Sequence, residues 1–254
     1  MPHTLVIDDQ EILPGNNRDI YIEIAQLPTH TPMTMPVRVF RAKTDGPVLL
    51  LIAGMHGDEI NGLEIIRRIM ADRHIKLSRG TVVAVPLVNV FGFLHLSRDT
   101  PDGKDLNRSF PGSATGSLAA RLAHSLLTHI LPVADYCIDY HTGGASRSNH
   151  PQVRLDMKAQ PDGLPLAHAF AAPLLLNSKL VDKSFRKEAV LRGKPVLVYE
   201  GGESLRLDEY AVQAGIDGTL RVMAHLDMLQ GPPPAAAHPT VLLRESTWIR
   251  ARKA

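Results

Sequence analysis

Four short stretches of the chain carry side chains able to do chemistry. His56-Gly57-Asp58-Glu59 directly follows an apolar run. A neutral imidazole and a carboxylate are ordinary zinc ligands, and His56 and Glu59, three apart across a turn, can converge on one point. The competing reading is that Asp58 and Glu59 complement a helix N-terminus, with His56 a turn residue. Asp139-Tyr140-His141-Thr142-Gly143-Gly144 ends a second apolar run. There His141 can supply the third protein ligand that leaves zinc one open position. Taken alone it is equally a strand-end histidine bonded locally. The third stretch is Asp105-Leu106-Asn107-Arg108-Ser109-Phe110-Pro111-Gly112. Arg108 offers a bidentate fork to a carboxylate beside the Asn107 amide, or else it pairs with Asp105 or Asp102. In the fourth, Val198-Tyr199-Glu200-Gly201-Gly202-Glu203, a carboxylate ends a third apolar strand and can act as general base. Glu203 competes with Glu200 for that role.

These residues need a frame that brings strand ends together. The runs at 47–53, 81–87, 136–140 and 195–199 are continuously apolar, as expected of strands covered on both faces. Ile20, Ile22 and Ile24 alternate with polar residues, and 35–41 is a second such segment, so the two can form an antiparallel edge. Helical patterns span 60–70, 117–130, 164–172 and 208–229. The alternation predicts an α/β domain with a mixed, mainly parallel central sheet and helices on both faces. Ligands in such folds bind beyond the carboxyl ends of the strands, which is where the four stretches lie.

Composition narrows the function class. Lys and Arg number 28 against 26 Asp and Glu, a net charge of +2 with no block pointing to nucleic acid or a membrane surface. One cysteine, Cys137, suits a reducing, cytoplasmic setting. Neither a run of 18 apolar residues nor a signal-peptide pattern is present. A length of 254 residues suits a catalytic domain over 1–230, a Pro/Ala-rich linker over 231–240 and a short β tail over 241–254. The tail's Trp248 and Ile249 would need a partner, either the same sheet or another subunit, and a homo-oligomer is compatible with the sequence. His74, His95, His124, His129 and His225 follow no ligand spacing.

Taken in order, HGDE, DLNRSFPG, DYHTGG and YEGG resemble the succinylglutamate desuccinylase/aspartoacylase branch of the zinc carboxypeptidase superfamily, over about 47–202. The resemblance implies one Zn2+ held by His56, Glu59 and His141. It implies a substrate carboxylate bound by Asn107 and Arg108, and Glu200 as the catalytic glutamate. Arg98, nine residues before Asn107, matches the arginine that polarises the scissile carbonyl. The implied reaction is hydrolysis of the amide bond of a small N-acyl amino acid. A metallocarboxypeptidase and a zinc-binding domain without turnover are the alternatives. The deacylase is favoured by the short interval from Glu59 to His141 (141 − 59 = 82 positions) and by Thr-Gly-Gly after His141. Asp139, on the same strand face as His141, can orient that imidazole, although an ordinary strand-end carboxylate is the simpler reading. Members of the branch usually carry a further β-rich domain, and the tail resembles its start.

Overall fold

The computed structural model describes residues 4–71, 76–145, 147–247 and 249. His74 and Trp248 therefore lie outside the described residues. Eleven strands and six α-helices are present among those described. The strands are β1 (Leu5–Ile7), β2 (Gln10–Ile12), β3 (Asn17–Gln26), β4 (Pro32–Arg41), β5 (Val48–Ile52), β6 (Thr81–Val85), β7 (Tyr136–Gly143), β8 (Asn149–Leu155), β9 (Leu174–Asn177), β10 (Val196–Glu203) and β11 (Val241–Leu243). The helices are α1 (Asn61–Ala71), α2 (Val90–Leu94), α3 (Leu118–Ser125), α4 (Leu164–Phe170), α5 (Phe185–Leu191) and α6 (Glu209–His225). No described helix is long and apolar enough to cross a membrane.

The apolar runs become the centre of one nine-stranded sheet, in the order β11-β9-β8-β10-β7-β5-β6-β4-β3. Five of its eight neighbouring pairs are parallel and three antiparallel, so it is mixed and mainly parallel. The two alternating segments pair as the antiparallel edge β3–β4.

Successive strand residues point to opposite faces, and both faces are covered. Leu50, Ile52, Val83 and Val85 pack with Leu122 of α3 and with Phe185 and Ala189 of α5. Leu49, Leu51, Val82 and Ala84 pack with Ile65 of α1, Phe170 of α4 and Val222 of α6. Each such fully buried aliphatic side chain contributes roughly 1.5–3 kcal/mol relative to exposure.

Topology explains where the site forms. From β5 the chain runs through α1 to β6 on one side, then returns through α3 to β7 on the other side of β5. The two helices lie on opposite faces. A crevice opens where strand order reverses in this way, between the carboxyl ends of β5 and β7.

Elsewhere the structure departs from sequence periodicity. The pattern at 117–130 splits into α3 and a π-helical turn, Leu126–Ile130, followed by a 3-10 turn, Leu131–Val133, that contains Pro132. The pattern at 208–229 stops as helix at His225. Residues 232–240 form neither helix nor strand, and the chain then adds β11 to the sheet beside β9. The side chains of β11 stay half-exposed, and Ile249 is 90 % exposed.

Candidate active site

The turn after β5 has little room. Gly54 adopts φ +63°, and a Cβ on Gly57 would lie 1.9 Å from the Gly92 carbonyl carbon. This close backbone approach swings His56 and Glu59 to the same side. His56 Nδ1 lies 2.8 Å from Glu59 Oε1, and His141 Nδ1, at the end of β7, lies 2.8 Å from Glu59 Oε2. The Thr142 amide donates to Glu59 Oε2 at 3.1 Å. All three side chains are buried, and one donor atom from each lies within 4.8 Å of the others.

Each imidazole is also held from behind. Asp105 Oδ1 lies 3.3 Å from His56 Nε2, and Asp139 Oδ2 lies 3.0 Å from His141 Nε2. An ionised carboxylate only accepts, so both nitrogens of each ring carry hydrogen when they face these carboxylates, and Nδ1, the nitrogen turned toward Glu59, is the one that would give up its proton to a cation. Burial works to lower both histidine pKa values, yet the carboxylates prevail and both are raised: Glu59 then Asp105 act on His56, and Asp139 then Glu59 on His141. Glu59 is itself pushed up by burial, but the two histidines hold it well below the usual carboxylate range. Two imidazole nitrogens and one carboxylate, each braced by an outer partner, form a donor set that fits a divalent cation such as zinc.

Arg98 sits at the edge of this cluster. Its Nη2 and Nε donate to Asp105 Oδ2 at 2.9 and 3.2 Å, and Nη1 donates to Glu59 Oε1 at 3.3 Å. On the other side Glu200 of β10 lies in register with His141. Asn149 Nδ2 donates to its Oε2 at 2.6 Å, and Arg154 Nη1 lies 3.2 Å from its Oε1. Burial pushes the Glu200 carboxyl above its ordinary value, and Arg154 opposes that. These groups share one cavity of about 300 Å³, lined also by Asn107, Arg108, Arg147 and Arg186.

A model of the succinylglutamate desuccinylase/aspartoacylase catalytic domain matches residues 45–226, well over half of the chain. The chain belongs to this family. The N-alpha-acetyl-L-2,4-diaminobutyric acid deacetylase of Halomonas elongata is 29% identical over 219 residues, which is 82% of this chain and 63% of that enzyme. The chain thus spans less than two thirds of this curated relative's length. A succinylglutamate desuccinylase/aspartoacylase from Rhodobacter sphaeroides has a crystal structure that superposes with a TM-score of 0.79 at 30% identity, covering 91% of this chain and 73% of that one. The product-bound ectoine utilization protein EutE (DoeB) from Ruegeria pomeroyi has the same fold, with a TM-score of 0.80 at 24% identity over 91% of this chain and 72% of that one.

Within this family member the structure brings together all seven residues singled out from sequence: His56, Glu59, Arg98, Asn107, Arg108, His141 and Glu200 line one cavity. Asn107 does more than face it, because its Oδ1 accepts from the Phe185 amide at 2.9 Å and ties its loop to the start of α5. Asp105 is taken by Arg98 and His56, leaving Arg108 exposed at the cavity wall. Glu203, the rival of Glu200, lies outside this lining. Asp139 is no ordinary strand-end carboxylate: it is 1 % exposed and bonded to His141. Sequence reasoning missed Asn149 and Arg186. For Arg186 a signal existed, since Ser184 caps α5 by accepting from the Lys187 amide at 3.2 Å, and a Ser ahead of the run FRKEAVL is a helix start.

Proposed function

We propose that this domain hydrolyses the amide bond of a small N-acyl amino acid, with one zinc ion held by His56, Glu59 and His141. The observation that carries the reading is the buried His–Glu–His cluster opening onto the same cavity as a half-buried carboxylate, Glu200, and several guanidiniums. Zinc bound there supplies a Lewis acid and lowers the pKa of a bound water toward about 7. Glu200 takes the proton of the attacking water and hands it to the departing nitrogen. Asn149 and Arg154 fix the direction of that carboxylate by holding one oxygen each. Arg98 keeps its guanidinium beside the cluster through Asp105 and donates to the oxyanion, a contribution of about 3–4 kcal/mol for such a donor. Asn107 and Arg108 hold the substrate's carboxylate and so set the register of the scissile bond.

A cavity of about 300 Å³ suits a small amide, and the curated relative is named as a deacetylase. Both favour deacylation over carboxypeptidase action. The same reading takes 1–230 as the catalytic domain, 231–240 as a linker and 241–254 as a short β tail, in a cytoplasmic setting.

The test is a panel of N-acetyl and N-succinyl amino acids beside short peptides, before and after chelation. We expect turnover of acyl amino acids that chelation abolishes and zinc restores. Preferential release of C-terminal residues from peptides would replace the deacylase by a carboxypeptidase. Stoichiometric zinc with no turnover would leave a binding domain.

A further inference from the structure

Two neighbouring glycines at the end of β7 lack a side chain for different reasons. A Cβ on Gly143 would lie 2.1 Å from the Arg147 carbonyl oxygen, so its absence is a packing requirement. Gly144 is under no such demand. Its φ is not in the left-handed region. Chain neighbours aside, a Cβ on Gly144 would meet only two described atoms within 4 Å, Arg147 Nη2 and Arg98 Nη1, each at 3.4 Å. An alanine would therefore fit the fold and fill the room between two guanidiniums. The missing side chain keeps open a space faced by two donors, inside the cavity that Arg98, Gly144 and Arg147 all line.

Arg147 is held at this space by several local features. Its Nε donates to the Gly144 carbonyl at 2.8 Å, and its backbone amide donates to the same oxygen at 3.4 Å. Ala145 takes φ +55°, a left-handed conformation that is unfavourable for a residue with a Cβ. Ser204, directly after β10, holds the turn from the other side. Its amide donates to the Gly143 carbonyl at 3.1 Å and its Oγ to the Ala145 carbonyl at 2.7 Å. The turn is thus tied to the strands that carry His141 and Glu200. Arg98 is fixed from its far side, because Asp105 takes its Nη2 and Nε and so points Nη1 toward Glu59 and this space.

We propose that Arg147 is a second catalytic donor, which joins Arg98 in donating to the carbonyl oxygen of the scissile amide across the space that Gly144 keeps open. The inference rests on the deacylase reading and deepens it. As water adds to the carbonyl carbon, the C=O π bond opens and its electron pair settles on that oxygen. Glu200 takes the water's proton. Collapse of the tetrahedral carbon re-forms C=O, breaks the C–N bond and sends that proton to the leaving nitrogen. Arg147 neither gains nor loses a proton. Its N–H bonds strengthen as negative charge grows on the oxygen, so its contribution falls on kcat more than on KM.

The test uses the zinc-loaded full chain with N-acetylalanine, N-acetylglutamate and N-acetyl-2,4-diaminobutyrate. Beside them stand the matching N-methylphosphonyl amino acids, whose tetrahedral phosphorus and charged oxygens copy the attacked carbonyl. With the best substrate, Arg147→Gln should lower kcat by about 10²-fold or more and change KM little, the effect of removing one oxyanion donor. It should weaken the matching phosphonyl compound by a similar factor and leave binding of the free amino acid unchanged. Gly144→Ala, which removes no charge, should also lower kcat, because its methyl takes the room of the oxygen.

A guanidinium that only clasps its own loop predicts a loss shared equally by substrate, product and phosphonyl compound. That result, an unchanged kcat in Arg147→Gln, or full activity in Gly144→Ala overturns the proposal and leaves the deacylase reading standing. If the wild type hydrolyses none of the three substrates, the deacylase reading falls. Arg147 is then judged by calorimetry with the phosphonyl compounds. Weaker binding in Arg147→Gln than in the wild type still supports a donor facing that oxygen, and binding indifferent to the variant, or absent, overturns it.

Discussion

The two walls of the cavity are built on opposite principles. On the β5–β7 side each imidazole nitrogen, and both oxygens of Glu59, face a partner: His56 stands between Glu59 and Asp105, and His141 between Glu59 and Asp139. On the β8–α5 side, Arg154 and Arg186 each keep a buried N–H with no partner among the described residues. The first wall is a closed network that holds its own charges in place and can exchange protons for a cation. In the second, one N–H of each guanidinium is left without an acceptor among the described residues. Glu200 lies between them, tied to the second wall and in register with the first.

The sharpest way to break this comparison is Glu200→Gln. If Glu200 moves the proton, hydrolysis should fall by about 10²–10⁴-fold while zinc content, measured by elemental analysis, stays near one per chain. Near-full activity would remove Glu200 from the mechanism and leave the two walls with no chemical link.

A smaller effect is expected at the closed wall. Asp139→Asn keeps the shape but weakens the bond that turns His141 Nδ1 inward, so zinc affinity should drop about 10–100-fold in competition with a chelator. Unchanged affinity would mean that the closed network is not what prepares the site.

The smallest effect concerns pH. Glu200 acts deprotonated, so the rate is lost as pH falls through its pKa. Burial raises that pKa and Arg154 lowers it. Removing the Arg154 charge in Arg154→Gln should therefore push the pKa further up, and the acid limb of kcat/KM should move to higher pH than in the wild type. A limb that stays put, or moves to lower pH, would show that Arg154 does not govern the ionisation of Glu200.

Much of the frame was legible in the sequence because its strands are buried on both faces and so read as unbroken apolar runs, such as 47–53. The strands β8 and β9 were not. β8 reads NHPQVRL, with one proline and few apolar residues, and β9 has only four residues. Both take their strand state from neighbours already in the sheet, a tertiary effect that overrides local preference. The helix α5, at seven residues, is too short for a periodic signal. Arg186 was lost with it, and Asn149 was lost with β8.

The sequence by itself determined the reacting groups. Histidine, glutamate and arginine types, set just past apolar runs and glycine turns, specify a site at strand ends and a chemistry of cation and anion binding. Tertiary structure decided which nitrogen of each imidazole faces inward, which carboxylates brace them, and which guanidiniums remain short of a partner. Those outcomes depend on residues far apart in the chain, such as His56 with Asp105 or Glu200 with Asn149. Only the reversal of strand order between β5 and β7, with the packing on both sheet faces, fixes their approach.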